Sequence, residues 1–426
     1  MADPSTCLPL TPDSVAKAHA AIKSHVHRTP LITSKTLNEI ASSPNPAAYL
    51  SDTPPSTNGH SNGASPAPRL SLHFKAENLQ RIGAFKARGA FHALSHLITL
   101  HGLPAIQKRG VITHSSGNHA QALALAAKEF GVPSYIVMPG ISTASKISGT
   151  QRHATEVIFS GSTSSEREEK VAAIMREKGG GRDGEGPILV PPYDHPDIIL
   201  GQGTTGKEIE EQYEEWIRNQ PEGHSGKASL DVVVAPIGGG GLLGGIATWF
   251  SDKPETRVFG AEPEFEGAND AERGLAQGKR IESVKTLTIA DGLRTPVGVT
   301  NWTVVSNKDK VEAVFSVTEQ QIKMAMRLVF ERMKYVVEPS GCVPLAVVLF
   351  NEKWRKWVVE EQRKEGTGRA WDIGVVFSGG NTTMKAIAKL FGEDDAEEAA
   401  SKTAESERAT GEIGVNGEKV AENVAG

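Results

Sequence analysis

Cysteine is nearly absent from this 426-residue chain, which holds Cys7 and Cys342 and no others. Two cysteines cannot build a disulfide framework or a cysteine-rich metal centre, and such sparing use suits a reducing compartment. Long apolar runs are missing too, since none approaches the about 18 residues that a membrane-spanning helix needs. The stretch Met1 to Leu10 has neither the basic nor the apolar segment of a secretion signal, so a cytoplasmic protein without membrane contact is expected. There is no excess of basic charge. Lys and Arg total 46 against 51 Asp and Glu, a formal charge of −5, which offers no general pull toward phosphate backbones and speaks against nucleic acid as a partner.

What is present suits a globular chain. Hydrophobic residues make up 38% and charged residues 23%, and the length allows two or three compact units. Residues 42–69 are rich in Ser, Pro, Asn and Gly and cannot bury a core, so they read as a surface insertion. From about Glu393 onward the chain is acidic and poor in large apolar residues, the composition of a solvated tail. Between these segments short β-branched runs alternate with helical patterns. Strands are expected at Leu70–Lys75, Gly110–Thr113, Ser134–Met138, Glu156–Phe159, Pro187–Val190, Val232–Pro236, Arg257–Ala261 and Ile373–Phe377. Helices are expected at His119–Phe130, stopped by Gly131 and Pro133, and after Thr318, where Thr-x-x-Gln precedes the stripe Ile322, Met326, Val329, Met333. This alternation predicts α/β architecture with mainly parallel sheets.

The 44 glycines gather in short clusters. Gly238-Gly239-Gly240-Gly241-Leu242 follows the strand Val232–Pro236, where bare backbone amides and a helix N-terminus form a phosphate cradle. Gly239, Gly241 and Gly244 also satisfy G-x-G-x-x-G, with the acidic Glu262 about 20 residues on, so an NAD-dependent dehydrogenase stays open on this pattern. Phe85-Lys86-Ala87-Arg88-Gly89 places a lysine in an apolar helical stretch; it either snorkels to solvent or, held in a pocket, becomes an amine nucleophile. His114-Ser115-Ser116-Gly117-Asn118-His119 joins small hydroxyls and an amide to a helix start, a carboxylate-binding pattern that one N-cap alone does not explain. Ser378-Gly379-Gly380-Asn381 is a second small-residue loop after a strand. Glu262 to Asp270 is a carboxylate-bearing loop that suits either solvent or a hard divalent cation.

In this order the motifs resemble the fold-type II pyridoxal-phosphate enzymes, the tryptophan synthase β-like architecture. Within that group they look most like eukaryotic-type serine racemases and the serine/threonine and threo-3-hydroxyaspartate dehydratases. The resemblance runs from His27 to Leu390 and is supported by Lys75-Ala76-Glu77-Asn78, Pro192-Tyr193-Asp194-His195-Pro196, Gly201-Gln202-Gly203-Thr204, Ile289-Ala290-Asp291-Gly292 and Val337-Glu338-Pro339-Ser340-Gly341. It implies two α/β domains with the cofactor between them: residues 1–107 and 195–392 as the larger, 108–194 as the smaller, and 393–426 as the tail. It implies Lys86 as the Schiff-base lysine and Gly238, Gly239, Gly240, Gly241 and Leu242 as the phosphate loop. Phe85 and Gly292 would lie against the ring, Asn118 near its 3-oxygen and Ser378 at the pyridine nitrogen. Ser115, Ser116, Asn118 and His119 would take the substrate carboxylate, with Lys86 and Ser116 as acid–base groups on opposite faces. Mg²⁺ or Ca²⁺ would bind Glu262, the Ala268 carbonyl and Asp270. Ala84 departs from the serine that many relatives carry there. The implied chemistry is serine racemisation together with dehydration of serine, threonine or 3-hydroxyaspartate. A homodimer and an ATP effector are implied as well, while a catalytically silent relative is disfavoured by the intact Lys86.

Overall fold

A computed structural model describes residues 3–51, 67–115, 117–161, 163–181, 184–221 and 226–392. Most of the expected insertion (52–66) and the whole expected tail (393–426) lie outside the described residues. Contacts divide the chain into Met1–Asn381 and Thr382–Gly426; in the second unit residues 384–392 are helical.

Ten strands carry the first unit: β1 (Leu31–Thr33), β2 (Leu70–Ala76), β3 (Val111–His114), β4 (Ser134–Pro139), β5 (Glu156–Ser160), β6 (Ile188–Leu189), β7 (Val232–Pro236), β8 (Arg257–Pro263), β9 (Ala313–Val317) and β10 (Trp371–Phe377). They form a six-stranded sheet in the order β1-β2-β10-β7-β8-β9 and a four-stranded sheet in the order β5-β4-β3-β6. Every pairing is parallel except β1 with β2. Strands without a polar face need cover on both sides, and all residues of β7 and β10 are buried. The sequence pattern missed β1 and β9. Both are edge strands, half-buried and short, where neither alternation nor a full apolar run develops.

Helix ends follow local chemistry. The Ala-rich helix is Asn118–Glu129, ended by Gly131 at φ 64. Thr318 forms the expected capping box with Gln321 at the head of Glu319–Leu328, and the next turn widens to a π-helix at Val329–Met333. One apolar core surrounds the helices Pro196–Arg218 and Gly241–Phe250 against β7 and β8. Another joins Lys86–His101 and Asn118–Glu129 to β3 and β4. Between helix and sheet lies a fully buried ionic network. Arg88 donates to Glu77 and Glu208 at 2.7–2.8 Å, and Lys75 donates to Glu208 at 2.7 Å. In open parallel sheets ligands bind beyond the carboxyl ends of strands. Here three of those ends, His114 of β3, Pro236 of β7 and Phe377 of β10, run into the loops that the sequence singled out.

Candidate active site

Lys86 opens the helix Lys86–His101, and its neighbours are tied to the end of β10. The Phe85 amide donates to the Ser378 carbonyl at 3.0 Å, Ala84 bridges to Gly379, and the Gly380 amide reaches the Gly83 carbonyl at 2.9 Å. Ala84 is fully buried in this seam. Two residues past the lysine, Arg88 anchors the same helix turn in the ionic network. The Lys86 amine lines a cleft of roughly 200 Å³, donates to the Pro192 carbonyl at 2.7 Å and stands 5.0 Å from the Phe85 ring centre. Burial brings its pKa down to about 8. A surface-snorkelling lysine is therefore excluded.

Gly238, Gly239, Gly240, Gly241 and Leu242 line the same cleft. Gly240 caps the helix Gly241–Phe250 at φ 94, and the Gly244 amide returns to its carbonyl at 2.7 Å. The first amides of that helix have no acceptor within it, which leaves donors at a turn that lines the cleft. A Cβ on Gly238 would meet the Leu293 Cα at 2.8 Å, and one on Gly240 the Asn301 Cβ at 2.8 Å. Asn301 Nδ2 holds the Gly239 carbonyl at 2.9 Å and thereby turns that peptide. The rival dinucleotide reading fails at Glu262. That residue is 1% exposed and does not line the cleft, and its carboxylate is turned onto the Ala271 and Glu272 amides at 3.2 and 2.7 Å.

Ser115, Asn118 and His119 line the cleft, whereas Ser116 lies outside the described residues. Ser115 Oγ accepts from the Gly117 amide at 3.3 Å. Asn118 joins three loops: it donates to Glu338 Oε1 at 2.9 Å and accepts from Asn381 Nδ2 at 2.8 Å. His119 is buried with Nε2 on the Val190 carbonyl at 3.2 Å, and burial beside Lys86 lowers its pKa to about 3. A neutral ring adds no charge to an anion site. Gly292 and Ser378 also line the cleft, and the Gly292 amide is held by Ser340 Oγ at 3.0 Å.

Sequence reasoning missed Glu338, Lys146 and Arg167, all of which line this cleft. Burial lifts the Glu338 carboxyl to about 7. Its motif, Val337 to Gly341, was visible, but a carboxylate under a cleft floor has no signature in composition. Lys146 forms an ion pair with Asp291 at the rim.

Away from the lysine, Glu262 and Asp270 are 1% and 3% exposed. Burial raises both carboxyls, Asp270 to about 6, and Asp270 further raises Glu262 by like charge. Asp270 accepts from the Val297 amide at 3.0 Å. Ala268, 1% exposed, lies on the connecting loop.

Among known proteins, the profile of the family described as "Pyridoxal-phosphate dependent enzyme" matches residues 60–361. A serine racemase from Arabidopsis thaliana is 37% identical over 89% of this chain and 95% of its own. An L-threo-3-hydroxyaspartate ammonia-lyase from Saccharomyces cerevisiae is 34% identical over 89% of this chain and 96% of its own. The solved structure of maize serine racemase superposes with a TM-score of 0.71 at 32% identity, covering 91% of this chain and 99% of that one.

Proposed function

The chain belongs to the pyridoxal-phosphate dependent enzymes, and from that membership we propose that it racemises serine and dehydrates β-hydroxy amino acids to a 2-oxo acid and ammonia. The observation that carries the reading is Lys86: a cleft-lining amine near pKa 8, held by a carbonyl and not by a carboxylate. Two features support the fit of the cofactor. Among the described residues the amine has no counter-charge that would keep it protonated, and the glycine turn has no room for side chains.

When bound, pyridoxal phosphate withdraws electrons from the substrate α-carbon and makes its hydrogen acidic. Lys86 would hold the cofactor in the resting state, with Gly238 to Gly241 and Leu242 on its phosphate. Phe85 and Gly292 would flank the ring, with Asn118 at its 3-oxygen and Ser378 at its nitrogen. A neutral hydroxyl at that nitrogen disfavours transamination. Ser115, Ser116, Asn118 and His119 would take the substrate carboxylate, His119 through its helix-end amide. With a pKa near the working pH, Lys86 is suited to remove the α-proton on one face and Ser116 to serve the other. Loss of the β-hydroxyl and reprotonation then compete.

A hard divalent cation fits Glu262, the Ala268 carbonyl and Asp270, because two carboxylates raised by burial, Glu262 further by the charge of Asp270, call for positive charge. Residues 108–194, with their own sheet, would form the smaller domain. A cytoplasmic homodimer with an ATP effector completes the reading; no described helix is long and apolar enough to cross a membrane. Lys146 and Arg167 in the cleft lining favour a second reading, in which the preferred substrate is the dicarboxylic 3-hydroxyaspartate.

The deciding experiment follows three rates in one Ser116→Ala preparation: L-serine dehydration, D-serine elimination and racemisation. The last two should fall about 10²–10⁴-fold while the first largely survives. A parallel fall of all three would refute the two-face assignment. Comparing serine, threonine and 3-hydroxyaspartate in the same assay separates the two substrate readings.

A further inference from the structure

We propose that Cys7, His195 and Asp197 form a binding site for a borderline divalent transition ion of the zinc class, outside the cleft and apart from the Glu262–Asp270 loop. Among the described residues these three are the one group of His, Cys, Asp or Glu whose ligand atoms, one from each, all lie within 4.8 Å of one another. They come from two distant parts of the chain. Cys7 belongs to the N-terminal segment, whereas His195 is the N-cap, and Asp197 a first-turn residue, of the helix Pro196–Arg218. His195 Nδ1 and Asp197 Oδ2 are 3.8 Å apart, and both side chains are buried.

The donor set decides the ion. One sulfur, one imidazole nitrogen and one carboxylate oxygen suit zinc or cobalt with a fourth position for water. Magnesium and calcium prefer all-oxygen surroundings and are poor occupants. The carboxylate is already oriented, as at many metal centres, by an outer layer of partners. His96 Nδ1 is 2.8 Å from Asp197 Oδ2, and His92 Nδ1 is 2.7 Å from the Asp197 carbonyl. His195 Nδ1 accepts from the Asp197 amide at a long 3.3 Å, a capping bond that an ion on this nitrogen would replace.

Charge points the same way. A thiolate and a carboxylate together neutralise a divalent ion in a buried place. The thiol proton leaves to solvent as the sulfur–metal bond forms, so one proton is exchanged for the ion. An N-cap accounts for His195 alone; it does not explain why a cysteine from the chain start and an aspartate held by two further histidines converge there. An ion held there would fix the start of the helix Pro196–Arg218. His195 is three residues past Pro192, whose carbonyl clasps Lys86.

The test uses the full-length, cofactor-loaded protein, freed of metals by chelation and titrated with Co²⁺. One Co²⁺ per chain should bind with a thiolate-to-cobalt charge-transfer band in the near ultraviolet, displaced by Zn²⁺ but not by Mg²⁺ or Ca²⁺. Cys7→Ser should abolish the band, and Asp197→Asn should weaken Co²⁺ at least about tenfold while keeping it. His195→Gln should weaken binding likewise; if that variant fails to fold, Cys7→Ser and Asp197→Asn still decide. No band in the wild type, or a band that survives Cys7→Ser, overturns the site and leaves a hydrogen-bonded cluster only.

Discussion

Replacing Glu338 by Gln should make the cofactor-stripped protein more stable at alkaline pH and leave it little changed in acid. The carboxyl is 5% exposed, and burial lifts it from 4.5 to about 7. A carboxyl whose folded pKa is raised is comfortable when protonated. As pH climbs past 4.5 the unfolded chain gains by ionising, and the folded chain follows only above about 7. Stability is therefore lost across that window and the loss is complete above it. The gap of about 2.5 pH units at 1.36 kcal/mol each makes this penalty about 3 kcal/mol. Gln has the same shape, keeps an oxygen for the Asn118 Nδ2 bond and carries no charge. Its advantage should be near zero at pH 4, about 0.8 kcal/mol at pH 5, and should approach about 3 kcal/mol at pH 8.5. With an unfolding entropy of about 2.1 cal/mol/K per residue over the 381 residues of the first unit, that is about 4 °C in Tm. Thermal melts of both proteins from pH 4 to 9 measure the difference, in which Lys86 and other shared titrations cancel. A difference that does not change with pH, or a Gln variant less stable at pH 8.5, would refute the assignment of a buried, raised carboxyl at the cleft.

Lys86→Ala should abolish turnover and the borohydride-fixable attachment of the cofactor, checked by mass spectrometry; a retained covalent adduct would point to another lysine. Asp270→Ala should remove Mg²⁺ or Ca²⁺ stimulation and the chelator sensitivity of Tm. Because burial raises Asp270 to about 6, cation affinity should also weaken as pH falls through 6, as titrations at pH 5.5 and 7.5 would measure. Glu208→Gln strands Lys75 and half of Arg88 in the core and should lose about 3–5 kcal/mol in chemical denaturation, with Lys75→Met restoring part of it. If the double variant is no better than Glu208→Gln, the network is not governed by charge balance.

The chain by itself determined whatever depends on local chemistry. Continuous β-branched runs such as β7 can exist only as covered strands. Glycines after a strand can mean only a tight turn with bare amides. Thr318 with Gln321 caps a helix wherever it sits. Those local rules, with the ordered motifs, were enough to single out Lys86 and the glycine loop, which the structure brings to one cleft, and to give the α/β class. They could not tell whether Lys86 snorkels or is enclosed, because that depends on Pro192, more than 100 residues away. Nor could they choose between a ribose partner and a buried role for Glu262, which was decided by helix amides packed over its carboxylate. Glu338 joined the site, and Cys7 met His195 and Asp197, through packing alone. Burial and charge compensation are sums over neighbours that only the tertiary structure brings together, and the pKa of a side chain follows from those sums.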